Sequence, residues 1–138
     1  HAPEDLPGFL DVYRREQCRV VVGNRMRDPR TMPLVRRLTN RFMSRLLSRR
    51  MGQRVPDTQN GYRLYDRAVL PLLMQTRSDG FAAESESLLD IADAGERIAS
   101  APTRIIYGDE RSKIRPIRDT IRFFSMLRRH KREREPAP

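Results

Sequence analysis

A short run of β-branched residues, CRVVV at positions 18–22, restricts this chain to folds that contain a buried strand. The residues before it, 2–16, repeat apolar side chains at the spacing of one helical face, after an acidic first turn that contains proline. We expect Gly23 to end the strand. A helix that leads directly into a strand is typical of α/β proteins, so the sequence predicts an α/β fold.

The clearest helix signal lies at residues 33–51. Pro33 suits the first turn of a helix, and Gly52 suits its stop. Arginines cover much of the circumference of this predicted helix. Such a basic amphipathic helix can lie on an anionic membrane, or it can be a solvated face on which arginine stems cover the core. Residues 63–73 are expected to pass from a strand into a short helix.

The carboxyl-terminal part predicts a helix over 86–94, an edge strand over 97–107 and a second amphipathic helix over 116–130. We expect one domain over 1–127, the acceptor-side part described below, and a charged flexible tail over 128–138. The apolar face of the last helix is predicted to hold Ile117, Ile121, Phe124, Met126 and Leu127.

The charge balance indicates a preference for anions. The chain of 138 residues has a formal net charge of +10, and nearly all of its cations are arginines. Because the planar guanidinium binds phosphate through paired hydrogen bonds, nucleic acid, anionic lipid and diphosphates are all possible partners, although a basic solubilising surface needs no partner. The lone Cys18 excludes an internal disulfide and a cysteine-cage zinc site. No apolar run approaches the roughly 20 residues that span a bilayer.

Four polar loops lie between the predicted elements, where sites of α/β proteins are usually built. They are GNRMRDPR at 23–30, DTQNGYR at 57–63, FAAESE at 81–86 and YGDERSK at 107–113. Each has a structural explanation when it is taken alone. Asp57 after a proline is typical of an Asx turn, for example, and the glutamates of 81–86 could cap the helix that follows.

The order of these loops resembles the carboxyl half of a family-two glycosyltransferase, in the polyprenyl-phosphate branch that includes dolichol-phosphate mannosyltransferase-like enzymes. The resemblance covers nearly the whole chain. It implies a partial GT-A fold: a Rossmann-like, mostly parallel sheet with flanking helices, without the amino-terminal nucleotide-binding half. The segment HAPED at residues 1–5 resembles the part of the family that follows its metal-binding Asp-x-Asp motif. The chain is therefore expected to begin just after those carboxylates.

The resemblance also implies roles for individual residues. Asp57 matches an aspartate near the acceptor, where it would act as a base for a hydroxyl acceptor or position groups for a phosphate acceptor, which is already anionic. Glu84 and Glu86 match an element beside the active site and complete the candidate catalytic set. The candidate substrate-binding residues fall into four groups. Arg25 follows the strand as an arginine of the family does, and Arg36, Arg37 and Asn40 lie on the helix expected near the acceptor phosphate. Gln59 and Gly61 shape the loop of residues 57–63, and Arg111, Ser112 and Lys113 resemble a loop that closes over the donor diphosphate.

The implied reaction moves a sugar from a UDP- or GDP-sugar to an acceptor such as a polyprenyl phosphate. It implies Mg²⁺ or Mn²⁺ in the complete enzyme, with no metal ligand in this chain, so we expect no activity from this chain alone. The implied partners are the nucleotide sugar, the lipid phosphate and an anionic membrane surface, with the protein peripheral at the cytoplasmic, inner face of the membrane. Nucleic acid is not expected under this interpretation.

A basic module that binds nucleic acid or another anionic surface is the alternative function. The net charge supports it. The sequence shows no helix-turn-helix pattern, no zinc-ligand spacing and no strip of aromatic residues of the RNA-binding kind.

Overall fold

The computed structural model describes residues 2–27, 32–104 and 116–134. The helices and strands, in chain order, are α1 (Leu6–Glu16), β1 (Val20–Asn24), α2 (Leu34–Met51), β2 (Arg63–Tyr65), α3 (Leu70–Leu73), α4 (Phe81–Asp93), β3 (Ile98–Pro102) and α5 (Pro116–Arg134). Short 3₁₀ turns occupy Pro3–Asp5, Arg25–Arg27 and Arg67–Val69. The predicted α/β class is confirmed.

The described strands form one sheet in the order β2-β1-β3, with the predicted valine strand at its centre. β3 runs parallel to β1, with Val21 opposite Ala99, whereas β2 runs antiparallel to β1, with Val21 opposite Leu64. The described sheet is therefore a small mixed sheet. Its parallel pair, β1 and β3, ends at one edge, and this edge carries the candidate site.

The two faces of β1 are covered by different helices. Val20 and Val22 pack into a core cluster with side chains of α2, α4 and α5, while Val21 packs on the other side with Phe9 and Val12 of α1. Alternate residues of a strand point to opposite faces, so one valine run supplies both cores. The result is a layer of helices on each side of the sheet.

Gly23 lies inside β1 and does not end it, which corrects the prediction from the sequence. A Cβ atom at this position would lie 2.5 Å from Asn60 Nδ2 and 2.9 Å from Thr103 Cγ2. The backbone N–H of Gly23 donates to the carbonyl oxygen of Tyr62 at 2.9 Å. Glycine is required here because the central loop, residues 57–62, approaches the strand closely, and the strand continues through Asn24.

The last helix continues to Arg134, so the boundary predicted at residue 127 falls inside α5. The predicted face of this helix was correct at Met126 and Leu127, which pack in or against the core, and wrong at Ile121 and Phe124. Phe123 is buried beside Met126, whereas Ile121 is 62% exposed and Phe124 is also exposed. The buried residues continue one turn further, to His130, whose Nε2 lies 3.1 Å from an oxygen of Asp93 on α4. The contacts of His130 show that the helix is still packed against α4 beyond the domain boundary predicted at residue 127.

The remaining boundaries differ less. α4 begins at Phe81, five positions before the predicted start, directly after Gly80, which has a positive φ of 57°. Glycine adopts a positive φ without a steric penalty, so the chain turns at Gly80 and the helix starts immediately after it. The strand predicted over 97–107 is observed from Ile98 to Pro102, and residues 105–107 lie outside the described part of the chain.

Candidate active site

The candidate site lies where β1 ends, beside the central loop of residues 57–62. The strand leads into a 3₁₀ turn, Arg25–Arg27, which is stabilised by a hydrogen bond from the backbone N–H of Met26 to the side chain of Asn24. The backbone N–H of Thr103, just after β3, donates to the carbonyl oxygen of Asn24 at 3.2 Å. The second of these bonds joins the ends of the two parallel strands.

Arg25 and Asp57 form a two-pronged ion pair at the centre of this site. Arg25 Nε donates to Asp57 Oδ2 at 2.8 Å, and Arg25 Nη2 donates to Asp57 Oδ1 at 2.9 Å. The backbone N–H of Arg25 donates to the same Oδ2 atom at 3.0 Å. The Asp57 side chain is fully buried, whereas Arg25 keeps 20% of its side chain exposed. Asp57 therefore orients Arg25, and both carboxylate oxygens are occupied in doing so.

The loop that carries Asp57 is fixed to its neighbours by side-chain hydrogen bonds. Thr58 donates its backbone N–H to Ser44 Oγ on α2 at 3.0 Å, and the two hydroxyl oxygens lie 3.1 Å apart. Gln59 Nε2 donates to Ser85 Oγ on α4 at 3.3 Å. Asn60 Nδ2 donates to Thr103 Oγ1 at 3.2 Å. The predicted turn residues of this loop therefore act as bridges to α2, α4 and the end of β3.

Arg63 is a central residue of the site that the sequence interpretation missed. Its side chain is only 3% exposed. Its donors reach the carbonyl oxygens of Asn60 at 2.9 Å, Thr58 at 2.9 Å and Glu84 at 2.8 Å. A charged residue at the start of the otherwise apolar β2, two positions after the Asn-Gly turn, was the available signal. Arg63 joins the central loop to the first turns of α4.

The two glutamates of α4 have different environments. Glu84 lies beside Arg63, with 3.6 Å between Glu84 Oε2 and Arg63 Nη2, and its side chain is 39% exposed. A Cβ atom on Gly61 would lie 3.5 Å from Glu84 Oε1, so this glycine leaves room for the carboxylate. Burial raises the pKa of Glu84, although the nearby guanidinium groups of Arg63 and Arg25 act in the opposite direction.

Glu86 lies away from this cluster. Its carboxylate accepts a hydrogen bond from Arg129 Nη2 of α5 at 2.7 Å and another from the backbone N–H of Ser78 at 2.8 Å. Burial by itself would raise the pKa of Glu86, but the hydrogen bonds from Ser78 and the ion pair with Arg129 outweigh it, so the pKa lies below its usual value. Of the two glutamates, Glu84 faces the central loop and Glu86 joins α4 to α5.

The candidate acceptor-side residues of α2 lie near the helix start. Arg36 and Arg37 are half-buried, and Asn40 is buried. Arg37 Nε is buried and has no hydrogen-bond partner among the described residues. Asn40 shares the inward face with Ser44, one turn later, which holds Thr58 of the central loop. The same helix therefore carries these residues and anchors the loop of Asp57.

Three of the candidate residues cannot be placed. Arg111, Ser112 and Lys113, the predicted donor-diphosphate loop, lie outside the described residues. Their role stays a prediction.

The described side chains do not fit a divalent cation. Within residues 2–27, 32–104 and 116–134, no group of three His, Cys, Asp or Glu side chains comes close enough to hold a metal ion. Both oxygens of Asp57 are also occupied by a guanidinium. In the same described part of the chain, no helix has the length and apolar character that crossing a membrane requires.

The chain is similar to several curated proteins. It is 38% identical over 100 residues to the dolichyl-phosphate hexose transferase of Haloferax volcanii, a match that covers 72% of this chain and 42% of the relative. It is 34% identical over 116 residues to the glycosyltransferase AglJ of the same organism, covering 80% of this chain and 38% of that protein. It is 28% identical over 111 residues to the UDP-N-acetylglucosamine–dolichyl-phosphate N-acetylglucosaminyltransferase of Methanococcus voltae, covering 78% of this chain and 44% of the relative.

No family model and no solved structure matches the chain. The aligned parts cover 38% to 44% of the relatives' own lengths, so the chain spans about two fifths of the proteins it matches. Two of these relatives are named as dolichyl-phosphate sugar transferases and the third as a glycosyltransferase, in agreement with the resemblance carried by the ordered loops. The chain is therefore similar, over most of its length, to glycosyltransferases of the family-two type, two of which are dolichyl-phosphate sugar transferases.

Proposed function

We propose that this chain is the acceptor-side part of an enzyme that transfers a sugar from a nucleotide-diphosphate sugar to a polyprenyl phosphate. The observation that carries the proposal is the ion pair between Arg25 and Asp57 at the end of β1. Two of the relatives are named for transfer to dolichyl phosphate, which supports a lipid phosphate as the acceptor.

The ion pair favours a phosphate acceptor over a hydroxyl acceptor. A hydroxyl needs a base to remove its proton, and both oxygens of Asp57 are held by Arg25. A phosphate is already an anion and needs a cation that positions it. Arg25, aimed by Asp57 and still partly exposed, would supply that cation. Arg36 and Arg37 on α2 are proposed to bind the same phosphate.

The reaction is a direct displacement. An oxygen of the acceptor phosphate would form a bond to the anomeric carbon of the sugar, while the bond from that carbon to the diphosphate oxygen breaks. The nucleoside diphosphate would leave with the electron pair, so no proton has to move. Lys113 and Arg111 are proposed to stabilise the leaving diphosphate.

Besides Lys113 and Arg111, binding of the donor is proposed to need residues of the full-length protein outside this chain. The requirement for Mg²⁺ or Mn²⁺ is a prediction for the full-length protein, as is the absence of turnover by this chain alone.

We also propose that α2 lies on an anionic membrane surface, from the cytoplasmic side, where the lipid phosphate would be reached. One side of this helix exposes a continuous apolar stripe. Its members are Leu34, Val35, Leu38 and Phe42. Arg41 and Arg45 are exposed beside the stripe. Each arginine near an anionic surface contributes roughly 1 kcal/mol, and the apolar stripe would enter the interface between headgroups and acyl chains.

A sugar-transfer assay tests the proposal. The full-length protein is given a polyprenyl phosphate, Mn²⁺ and a panel of labelled UDP- and GDP-sugars. We expect a labelled lipid product with the wild type, and a large loss of product with Arg25→Ala. Arg14→Ala, which removes an exposed arginine of α1, is the matched control and should retain activity. Absence of product from the wild type with every donor would contradict the proposal.

A further inference from the structure

The peptide unit that joins Asp57 to Thr58 is held at both of its ends. Its carbonyl oxygen, on Asp57, accepts the backbone N–H of Asn60 at 3.3 Å. Its N–H, on Thr58, donates to Ser44 Oγ of α2 at 3.0 Å. A peptide unit is planar and rigid, so two bonds at opposite ends fix its orientation. The backbone of Asp57, and with it the direction of the Asp57 side chain, is therefore set in part by Ser44.

The contact between Ser44 and Thr58 is shielded from water. Ser44 is 2% exposed, and Asp57 and Thr58 are fully buried. The hydroxyl oxygens of Ser44 and Thr58 lie 3.1 Å apart, so a second hydrogen bond joins the same two residues. Loss of the Ser44 hydroxyl would leave the buried N–H of Thr58 without this acceptor. Because an unpaired buried N–H is costly, the loop would have to move to satisfy it.

Three hydrogen bonds carry the orientation of Asp57 on to Arg25. Asp57 Oδ2 accepts Arg25 Nε at 2.8 Å and the backbone N–H of Arg25 at 3.0 Å, and Asp57 Oδ1 accepts Arg25 Nη2 at 2.9 Å. A bidentate pair of this kind transmits a rotation of the carboxylate to the plane of the guanidinium. A shift of the peptide after Asp57 would therefore move the cation that we assign to the acceptor phosphate.

The place of Ser44 on α2 gives this contact a further consequence. The same helix carries Arg36 and Arg37, which are proposed to bind the phosphate together with Arg25. Arg25 belongs to a different element, the turn that follows β1. The bond from Thr58 to Ser44 joins the loop of the ion pair to α2, so it helps to set where the guanidinium of Arg25 lies relative to the arginines of the helix.

We propose that Ser44 is a positioning residue for the acceptor phosphate: it holds the peptide between Asp57 and Thr58 and thereby keeps Arg25 aligned with the arginines of α2. The identity of the ligand as a phosphate rests on the proposed function. Ser44 acts through Asp57 and Arg25 and does not itself touch the substrate.

Ser48 provides a matched comparison one turn further along α2. Its hydroxyl donates to the carbonyl oxygen of Val55 at 3.1 Å and accepts the backbone N–H of Val55 at 3.0 Å. Pro56 separates Val55 from Asp57, and its ring fixes the backbone φ at that point. Loss of the Ser48 hydroxyl should therefore lower the stability of the protein in urea and leave the peptide after Asp57 in place.

The first measurement is hydrogen exchange at the backbone N–H of Arg25 in the full-length protein, by NMR. This N–H donates to Asp57 Oδ2 and reports directly on the ion pair. Ser44→Ala should make it exchange about threefold to tenfold faster relative to the slowest amides of β1, which report global unfolding. Ser48→Ala should leave this ratio at the wild-type value. An unchanged ratio in Ser44→Ala would overturn the inference.

The second measurement is the KM of each substrate in the sugar-transfer assay, with the acceptor in detergent micelles so that binding to vesicles does not enter. Ser44→Ala should raise the KM of polyprenyl phosphate about threefold to tenfold and leave the KM of the nucleotide sugar unchanged. Ser44→Thr keeps the hydroxyl oxygen and should keep the wild-type KM, as should Ser48→Ala. If Ser44→Ala does not fold, Ser44→Cys tests the same contact, because its sulfur is only a weak acceptor and should also raise the KM of polyprenyl phosphate.

The outcomes separate this inference from the proposed function. A KM of polyprenyl phosphate that is unchanged in Ser44→Ala, or that rises equally in Ser48→Ala, would overturn the role of Ser44. The proposed function fails on different results, namely no product from the wild type with any donor, or full activity in Arg25→Ala.

Discussion

Arg25 and Asp57 are 32 residues apart in the chain and are joined by two side-chain hydrogen bonds of 2.8 and 2.9 Å. A paired geometry of this kind fixes the plane of the guanidinium as well as its position. Asp57 is fully buried, so the function we assign to it is exerted through Arg25.

The first prediction separates this positioning role from stability. Asp57→Ala should lower the free energy of unfolding by about 3 kcal/mol, because it leaves a guanidinium partly buried without its partner. It should also raise the KM of polyprenyl phosphate. The double variant Arg25→Met/Asp57→Leu should recover most of the stability in urea unfolding and none of the activity. Recovery of transfer by that double variant would show that the pair only holds the fold together.

The second prediction concerns Gly23. Gly23→Ala should destabilise the protein by about 1–3 kcal/mol, since the new methyl group would meet Asn60 at 2.5 Å and the Tyr62 carbonyl oxygen at 3.1 Å. Gly8→Ala is the control. It lies in α1 with no atom within 4 Å of the added Cβ, and alanine in a helix is favoured by up to about 1 kcal/mol. Urea unfolding measures both, and equal stability of the two variants would contradict the assigned contact.

The third prediction concerns Arg63. Arg63→Lys keeps the charge but loses the planar set of donors to Thr58, Asn60 and Glu84, so it should cost about 2–4 kcal/mol. Hydrogen exchange should become faster at Asn60, whose backbone N–H bonds to Asp57. Arg67→Lys, at an exposed position, should change neither quantity. A stable Arg63→Lys variant with unchanged exchange would remove Arg63 from its assigned role.

The fourth prediction is a pH dependence carried by Glu86. Its pKa is lower in the folded protein than in the unfolded chain, where it is about 4.3. The stabilisation is therefore fully present above the unfolded pKa and is lost as the pH falls through the folded pKa. Between about pH 6 and about pH 3, the urea midpoint of the wild type should fall more than that of Glu86→Gln.

The control for this pH effect is Glu133→Gln. Glu133 pairs with Arg77 at the surface, where an ion pair contributes about 0–1 kcal/mol. The urea midpoint of Glu133→Gln should fall with decreasing pH as that of the wild type does. If the urea midpoint of Glu86→Gln falls by the same amount, the ion pair between Glu86 and Arg129 does not cause the acid sensitivity.

The fifth prediction tests the membrane surface of α2. Leu38→Asn combined with Phe42→Asn should reduce binding to phosphatidylglycerol-rich vesicles by about tenfold or more, because burying such side chains contributes about 1.5–3 kcal/mol each. Leu10→Asn changes an exposed leucine of α1 and should have no effect. Sedimentation with vesicles measures the partition. Equal binding by the double variant and the wild type would place the membrane contact elsewhere.

Much of the fold follows from local patterns in the sequence. The valine run predicted the central strand, and Pro33 and Gly52 marked the ends of α2 to within a residue. These signals are local, because they depend on the residues of one element. The face of α5 was harder to predict. Phe123 and Phe124 are adjacent, and only the contact with the core decides which of them is buried.

The contacts within the candidate site could not be predicted from the spacing of residues along the chain. The partner of Asp57 depends on how the end of β1 meets the central loop, which no local pattern specifies. Glu84 and Glu86 are two positions apart on a helix, so their side chains point in very different directions, but the sequence does not fix which one faces the loop. The hydrogen bonds of Arg63 likewise appear only once β2 and α4 are in contact.

The most direct test of the central claim is the choice of acceptor. The full-length protein is offered polyprenyl phosphate and the corresponding polyprenol, which differs by the loss of the phosphate, with the same labelled nucleotide sugar. An acceptor site built around Arg25, with Asp57 occupied, predicts transfer to polyprenyl phosphate and none to polyprenol. Equal transfer to polyprenol would show that a hydroxyl can be activated at this site, and would contradict the role assigned to the Arg25–Asp57 pair.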